Sequence, residues 1–133
     1  MNNSNYQYSE LTQTIIGIAM GVHSHFGGGN FTENIFQRAL LNDLMEKGLQ
    51  CESEIELPIF YKEKIIGKKR IDILVEKKGL VELKVISQLE QIHFNQIINY
   101  LKVFKLEVGL LLNFGTPSLQ IKRFVNTSFH TKS

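Results

Sequence analysis

The stretch Arg70-Ile71-Asp72-Ile73-Leu74-Val75-Glu76-Lys77-Lys78-Gly79-Leu80-Val81-Glu82-Leu83-Lys84-Val85-Ile86 decides how this chain is read. Two runs rich in aliphatic residues flank Lys77-Lys78-Gly79, a three-residue loop with glycine where the left-handed conformation is wanted. This predicts a β-hairpin with strands over Ile65–Glu76, bent or interrupted at Gly67, and over Leu80–Ile86. In that register Glu76 pairs with Leu80, and Asp72 lies opposite Lys84 with Glu82 diagonal to it. Strand side chains alternate, so Asp72, Glu82 and Lys84 share one face. Ile71, Ile73, Val75, Val81, Leu83 and Val85 take the other face and enter the core. Two carboxylates and an ammonium thereby converge.

Neighbouring carboxylates resist joint ionisation. A hard cation such as Mg²⁺ resolves that conflict, because it binds one or two carboxylates and keeps water and phosphate oxygens as its other ligands. It can then activate water and neutralise phosphodiester charge, with Lys84 orienting the attacking water or stabilising the developing charge. The same spacing also suits a plain Asp72–Lys84 salt bridge with Glu82 solvated.

Outward from the hairpin, helical periodicity marks three helices. The first runs over Ser9–His25, with Ser9 as N-cap and Leu11, Ile15, Ile16, Ala19, Met20 and His23 as its stripe. Gly27-Gly28-Gly29 ends it. The second spans Phe31–Lys47, with Asn30 and Glu33 spaced as a capping box, Ile35, Phe36, Ala39, Leu40 and Leu44 buried, and Gly48 past its end. The third spans Leu89–Lys105. There His93, Gln96 and Tyr100 share a face beside Ile97 and Phe104, so hydrogen-bond donors sit where the helix must pack. They suit buried polar groups satisfied by backbone, or donors to a water or phosphate at the carboxylate site. Glu54–Tyr61 alternates as a strand whose Pro58 fits an edge. Val108–Asn113 reads as a buried central strand, Ile121–Val125 as the last strand, and the residues from about 126 to 133 as a polar tail.

The composition sets limits. In 133 residues, 43% hydrophobic and 21% charged, there is room for one core, so residues 1–133 are expected to form a single domain. One cysteine, Cys51, excludes an internal disulfide and a zinc site of its own, and no apolar run could span a bilayer. Met1–Glu10 lacks a signal-peptide core, so a cytoplasmic protein without membrane contact is expected. A net charge of +2 permits a nucleic-acid partner without requiring one. The charge is uneven, however: seven of fifteen Lys and Arg residues lie between Lys62 and Lys78. Positive edge residues of this kind discourage sheet-to-sheet aggregation; they would equally suit a phosphate-facing rim. The glycine run precedes no Gly-Lys-Ser/Thr, and no serine nucleophile motif is present.

Asp72, then Glu82-Leu83-Lys84, then Gln96-x-x-x-Tyr100 resembles the PD-(D/E)XK nuclease superfamily, in particular its RecB-like branch. Val22-His23 before a glycine turn, Glu33, Val81-Glu82-Leu83-Lys84, Asn99-Tyr100-Leu101-Lys102 and Gly109-Leu110-Leu111-Leu112-Asn113-Phe114-Gly115 are similar to the small GxxExxY family over nearly the whole chain. The Glu-x-Lys element alone is common; the ordered set is more specific. Three positions depart from the pattern: Asn30 stands at the name-giving glycine, Phe36 at the tyrosine, and Ile71 rather than proline precedes Asp72.

The resemblance implies a restriction-endonuclease-like α/β fold, a mixed sheet flanked by helices. It implies a nuclease that hydrolyses DNA phosphodiesters through a metal-activated water. Asp72, Glu82 and the Leu83 carbonyl would bind Mg²⁺ or Mn²⁺, and Lys84 would assist the water. Glu33 would reach the metal or its waters, or else complement the helix dipole. His23 would add a ligand from the first helix, or else be a satisfied core histidine. Gln96 and Tyr100 would reach water or phosphate, and Arg70, Lys69 and Lys68 would join Tyr100 in holding nucleic acid. The competing expectation is a catalytically silent or partner-dependent nucleic-acid-binding subunit, for which a homodimer or a protein partner would complete the function.

Overall fold

The computed structural model describes residues 8–28 and 30–130. The chain forms helix α1 (Ser9–Phe26), helix α2 (Glu33–Glu46), strands β1 (Cys51–Tyr61), β2 (Lys64–Val75) and β3 (Gly79–Lys84), helix α3 (Gln91–Val103), strands β4 (Val108–Asn113) and β5 (Gln120–Val125), and a short 3₁₀ turn over Thr127–His130. The five strands lie in sequence order in one sheet. The β3–β4 pair is parallel and the others are antiparallel. A parallel pair cannot be joined by a tight turn, and α3 provides the crossover. This is a mixed sheet flanked by three helices, the restriction-endonuclease-like architecture.

Alternation along the strands builds a core on each face. Ile73, Val75, Val81, Leu83, Leu110 and Leu112 pack with Ile15, Ala19 and Val22 of α1 and Phe36, Leu40 and Leu44 of α2. Leu74, Leu80 and Leu111 pack on the other face with Ile97 and Leu101 of α3. Gly109 lets α3 approach closely, since a β-carbon there would lie 3.0 Å from the Ile97 Cδ1. Val108–Asn113 is buried throughout, as its apolar composition requires. Pro58 does lie on an edge strand, β1.

Several local expectations are corrected. The hairpin loop is Glu76-Lys77-Lys78, with Val75 paired to Gly79, so the register differs by two residues and Asp72 lies toward Glu82 rather than Lys84. Glu76 is captured by Gln50 across the sheet, donating its N–H to the Gln50 carbonyl at 2.7 Å while its carboxylate accepts the Gln50 N–H at 2.7 Å. Glu76 and Lys77, not glycine, take the positive φ values of 54° and 59°. A shift of two preserves the faces, but Ile71 does not stay with Ile73: it joins the core under α3. The alternation breaks at Asp72, where the opposing Glu54 takes φ 52° and the β1–β2 pairing passes from Ser53–Ile73 to Ile55–Ile71.

The helix ends differ too. Tyr8, not Ser9, occupies the N-cap of α1, and Thr32 caps α2, so the Asn30–Glu33 box does not form. Met20 and Ile35 are exposed, while Val22 and Gln37 are buried, because the sheet covers a narrower stripe of each helix than hydrophobicity suggests. The expected tail begins too early: Asn126 is buried and its Nδ2 donates to the Leu101 and Leu106 carbonyls at 3.0 and 2.9 Å. The Leu101 carbonyl, in the last turn of α3, also accepts the Leu106 N–H at 2.9 Å, so the asparagine amide clamps the end of the helix to the segment that follows it.

Candidate functional site

The β2–β3 ladder runs only from Val75–Gly79 to Ile73–Val81. Beyond it, side chains take over the backbone's pairing. The Leu83 N–H donates to Asp72 Oδ2 at 2.8 Å, and the Asp72 N–H donates to Glu82 Oε2 over a longer 3.4 Å. Each carboxylate thus spends one oxygen on the opposite strand and keeps the other. Gln37, buried on α2, donates its Nε2 to the Asp72 carbonyl at 3.3 Å and to Glu54 Oε2 at 3.5 Å.

The crowding has an electrostatic consequence. Burial, then the Asp72 charge, pushes the Glu82 carboxyl up to about 8, despite the Asp72 N–H and the nearby Lys84 and Lys69 ammonium groups. Glu33, the first residue of α2, also has its carboxyl raised, by partial burial and by Asp72, with Lys84 opposing. Three acids and two lysines therefore feel one another here. Two carboxyl groups, each with an oxygen not spent on the opposite strand and one of them unwilling to ionise beside the other, form a hard-oxygen donor set suited to a divalent cation. Among the described residues, no group of three His, Cys, Asp or Glu side chains is already gathered as a metal cage.

On the α3 side a cleft of about 100 Å³ is lined by Glu82, Lys84, Lys69, His93, Gln96 and Tyr100, with Ile97 and Leu111 at its floor. The strand and helix residues picked out by sequence therefore meet. Lys69 Nζ lies 5.3 Å from the Tyr100 ring centroid, a cation–π distance. His93 accepts the Glu90 N–H on Nδ1 at 2.9 Å, so its proton sits on Nε2 in the neutral ring. That bond fixes the start of α3.

Lys68, Lys69 and Arg70 do not act as one surface. Lys69 lines the cleft, while Lys68 and Arg70 are exposed on the opposite face, as strand alternation demands, and Lys68 pairs with Glu56 at 3.7 Å. His23 is buried, and its Nε2 lies 2.8 Å from the Thr116 carbonyl, the arrangement of a satisfied core histidine. Phe36 is fully buried, stacked on Phe114 at 4.8 Å and edge-on to Phe26. Sequence reasoning missed Gln37 and Glu54 as neighbours of Asp72. Gln37 gave a faint signal, a polar residue next to the buried stripe of α2; Glu54 gave none.

This constellation lies within a recognised family. The sequence model of the PD-(D/E)XK nuclease superfamily matches residues 9–124, and the chain belongs to that superfamily. Its members are in general divalent-metal-dependent nucleases. Among solved structures, the crystal structure of SSO0001 is similar, with a TM-score of 0.56, 21% identity and 90% of this chain covered. The match takes in 60% of SSO0001, and at that identity it speaks to fold alone. No curated protein matches the chain.

Proposed function

We propose that this protein is a divalent-metal-dependent nuclease that hydrolyses DNA phosphodiesters, working in the cytoplasm as a single nuclease domain of the GxxExxY type within the RecB-like branch. The observation that carries this reading is the pairing of Asp72 and Glu82, close enough that Glu82 resists ionisation, with Lys84 and Lys69 beside them. The free oxygens of Asp72 and Glu82, with the Leu83 carbonyl, would hold Mg²⁺ or Mn²⁺, and Glu33 would complete its surroundings from α2. When bound, such a cation lowers the pKa of a water and neutralises phosphodiester charge.

The chain's own residues supply the rest. Lys84 Nζ donates to the attacking water or to a non-bridging phosphate oxygen, stabilising charge as it develops. Gln96 and Tyr100 donate to phosphate from α3, and Lys69 contributes positive charge at the mouth. His93 positions α3 through its cap. His23 pins the Thr116 turn rather than binding metal. The cleft is far smaller than a pocket for a whole ligand, so the substrate backbone lies across it. That narrowness also favours a second reading, a nucleic-acid-binding subunit whose site opens only with a homodimer or protein partner.

The test is cleavage of plasmid, linear duplex and single-stranded DNA with Mg²⁺ or Mn²⁺, beside Glu82→Ala, Lys84→Ala and an EDTA control. Activity lost in all three controls supports the nuclease; a folded wild type that cuts nothing moves the reading to the partner-dependent subunit.

A further inference from the structure

The β1–β2 hairpin runs well past the sheet. β3 pairs with β2 only at Ile73–Val75, yet β1 and β2 remain paired out to Tyr61 and Lys64. From Asp72 to the tip the ribbon therefore overhangs by roughly 25 Å at about 3.3 Å per residue. Its end departs from soluble-surface chemistry. Phe60, Tyr61, Ile65 and Ile66 are 60%, 60%, 59% and 65% exposed, although they adjoin one another across the strand pair. The pairing slips between Ile59 and Phe60, so Ile66 bulges out of the ladder. Large apolar residues held together in water at the end of a projecting ribbon indicate a contact surface.

Charge identifies the partner. Between Glu56 and Arg70 the ribbon carries Lys62, Lys64, Lys68, Lys69 and Arg70 against only Glu56 and Glu63. Its excess of three positive charges is larger than the whole chain's net +2, so the remainder of the chain is net negative. A polyanion is drawn to the ribbon more strongly than to the rest of the chain. A second copy docking tip to tip would instead bring like charges together. Lys62 sits over the Tyr61 ring at 5.3 Å, so a cation and an aromatic face are offered jointly. Lysines for phosphates beside aromatic and aliphatic side chains for bases are the means by which nucleic acid is held without sequence preference. The ribbon also leads to the cleft, since Lys69 lies on β2 between the tip and Asp72 and lines the cleft with Tyr100.

We infer that the β1–β2 ribbon is a nucleic-acid-gripping arm: Lys62 and Lys64 at its tip and Lys69 on the cleft side track the phosphates while Phe60, Tyr61, Ile65 and Ile66 bear on bases or a groove. The inference rests on the nuclease reading for its purpose, since the arm would lay the strand across the cleft, but it is tested separately.

The test is fluorescence anisotropy of the full chain with labelled duplex and single-stranded DNA of equal length, in EDTA, from 50 to 200 mM salt. The variants are Lys62→Glu/Lys64→Glu, Phe60→Ser/Tyr61→Ser, and Lys47→Glu/Lys105→Glu as a charge-matched control at exposed positions away from ribbon and cleft, each checked for an unchanged unfolding transition. The charge reversal is expected to weaken binding at least tenfold and flatten the log–log salt slope by about two. The aromatic variant is expected to weaken binding about tenfold, and Lys47→Glu/Lys105→Glu, with the same change in net charge, to weaken it by less than about threefold. The DNA form that loses more shows whether the arm grips duplex or single strand. Arm variants that bind both DNAs like wild type, or a wild type that binds neither, overturn the arm. So does a sedimentation experiment in which Phe60→Ser/Tyr61→Ser dissolves a dimer while DNA affinity stays unchanged. Failure of the nuclease reading appears elsewhere, as absent metal-dependent cleavage with arm-dependent binding intact.

Discussion

Asp72 and Glu82 hold β2 and β3 together crosswise: the Asp72 carboxylate accepts the Leu83 N–H, and the Glu82 carboxylate accepts the Asp72 N–H. The strands part where backbone pairing would otherwise continue, and the two acids span the gap. This keeps them close at an energetic cost, visible in the Glu82 carboxyl held up to about 8.

That cost has a direction in pH. Glu82 in the unfolded chain ionises near its ordinary value of 4.5, and in the fold near 8, so between those values the folded protein binds more protons. Metal-free stability is therefore full below pH 4.5 as far as this group is concerned, falls as pH rises through the window, and is flat above it. Glu82→Gln, which keeps an acceptor and cannot ionise, should remove that fall. Urea unfolding in EDTA at pH 5, 6, 7 and 8 checks this; parallel pH dependences for wild type and variant would count against it.

A divalent cation should reverse the effect. If Asp72 and Glu82 share a cation, binding to the folded state alone stabilises it by about 2.7 kcal/mol at a concentration a hundred times the dissociation constant. In a domain of this size that is a rise of several degrees in Tm. Mg²⁺ and Mn²⁺ should produce the rise at pH 8 in wild type, and neither Asp72→Asn nor Glu82→Gln should show it. A rise of equal size in both variants would place the cation elsewhere.

Lys84 and the α3 donors should separate by magnitude in the cleavage assay. Lys84 is the ammonium nearest in sequence to the acid pair, so Lys84→Ala should lower kcat by about a hundredfold or more. Gln96→Ala and Tyr100→Phe remove neutral hydrogen bonds and should each cost about tenfold. Tyr100→Phe keeps the ring beside Lys69, so its loss reports the hydroxyl alone. Wild-type kcat in Lys84→Ala would remove that residue from the chemistry.

What sequence makes legible here is what local pattern controls. Helix stripes, the period of two in the strands, the buried Val108–Asn113 run and the α/β order all follow from spacing over a few residues. The meeting of Glu82, Lys84, Gln96 and Tyr100 follows too, because the sheet face and the helix face are each periodic. Distant partners are not legible. Gln50 captures Glu76 and moves the hairpin register by two. Glu54 turns left-handed opposite Asp72 and sends Ile71 to the other core. The Leu101 and Leu106 carbonyls draw Asn126 inward. Each of these depends on a backbone group more than ten residues away, to which local propensity is blind.

The turn after the site strand gives the clearest stability prediction. Asn113 is wholly buried at the end of β4. Its Oδ1 accepts the N–H of Ile86 and of Gly115, each at 3.0 Å, while its Nδ2 donates to the Ile86 carbonyl at 3.0 Å and to Gln120 Oε1 at 2.8 Å. One amide thus satisfies the segment leaving β3 two residues after Lys84. Gly115 presses against the same segment, and a β-carbon there would fall 2.5 Å from the Ile86 oxygen and 2.6 Å from its nitrogen, both backbone atoms. Asn113→Ala orphans the Ile86 N–H and C=O and should cost about 3 kcal/mol. Gly115→Ala must push the chain apart and should cost about 1–3 kcal/mol. Both act on Ile86, so once Asn113→Ala has freed that segment the added methyl meets less resistance. The double variant should then lose less than the sum of the two single losses. Urea midpoints of the three variants measure this directly. Strict additivity would mean that Asn113 and Gly115 do not share Ile86, and a loss under about 1 kcal/mol for Asn113→Ala would mean that water replaces the amide.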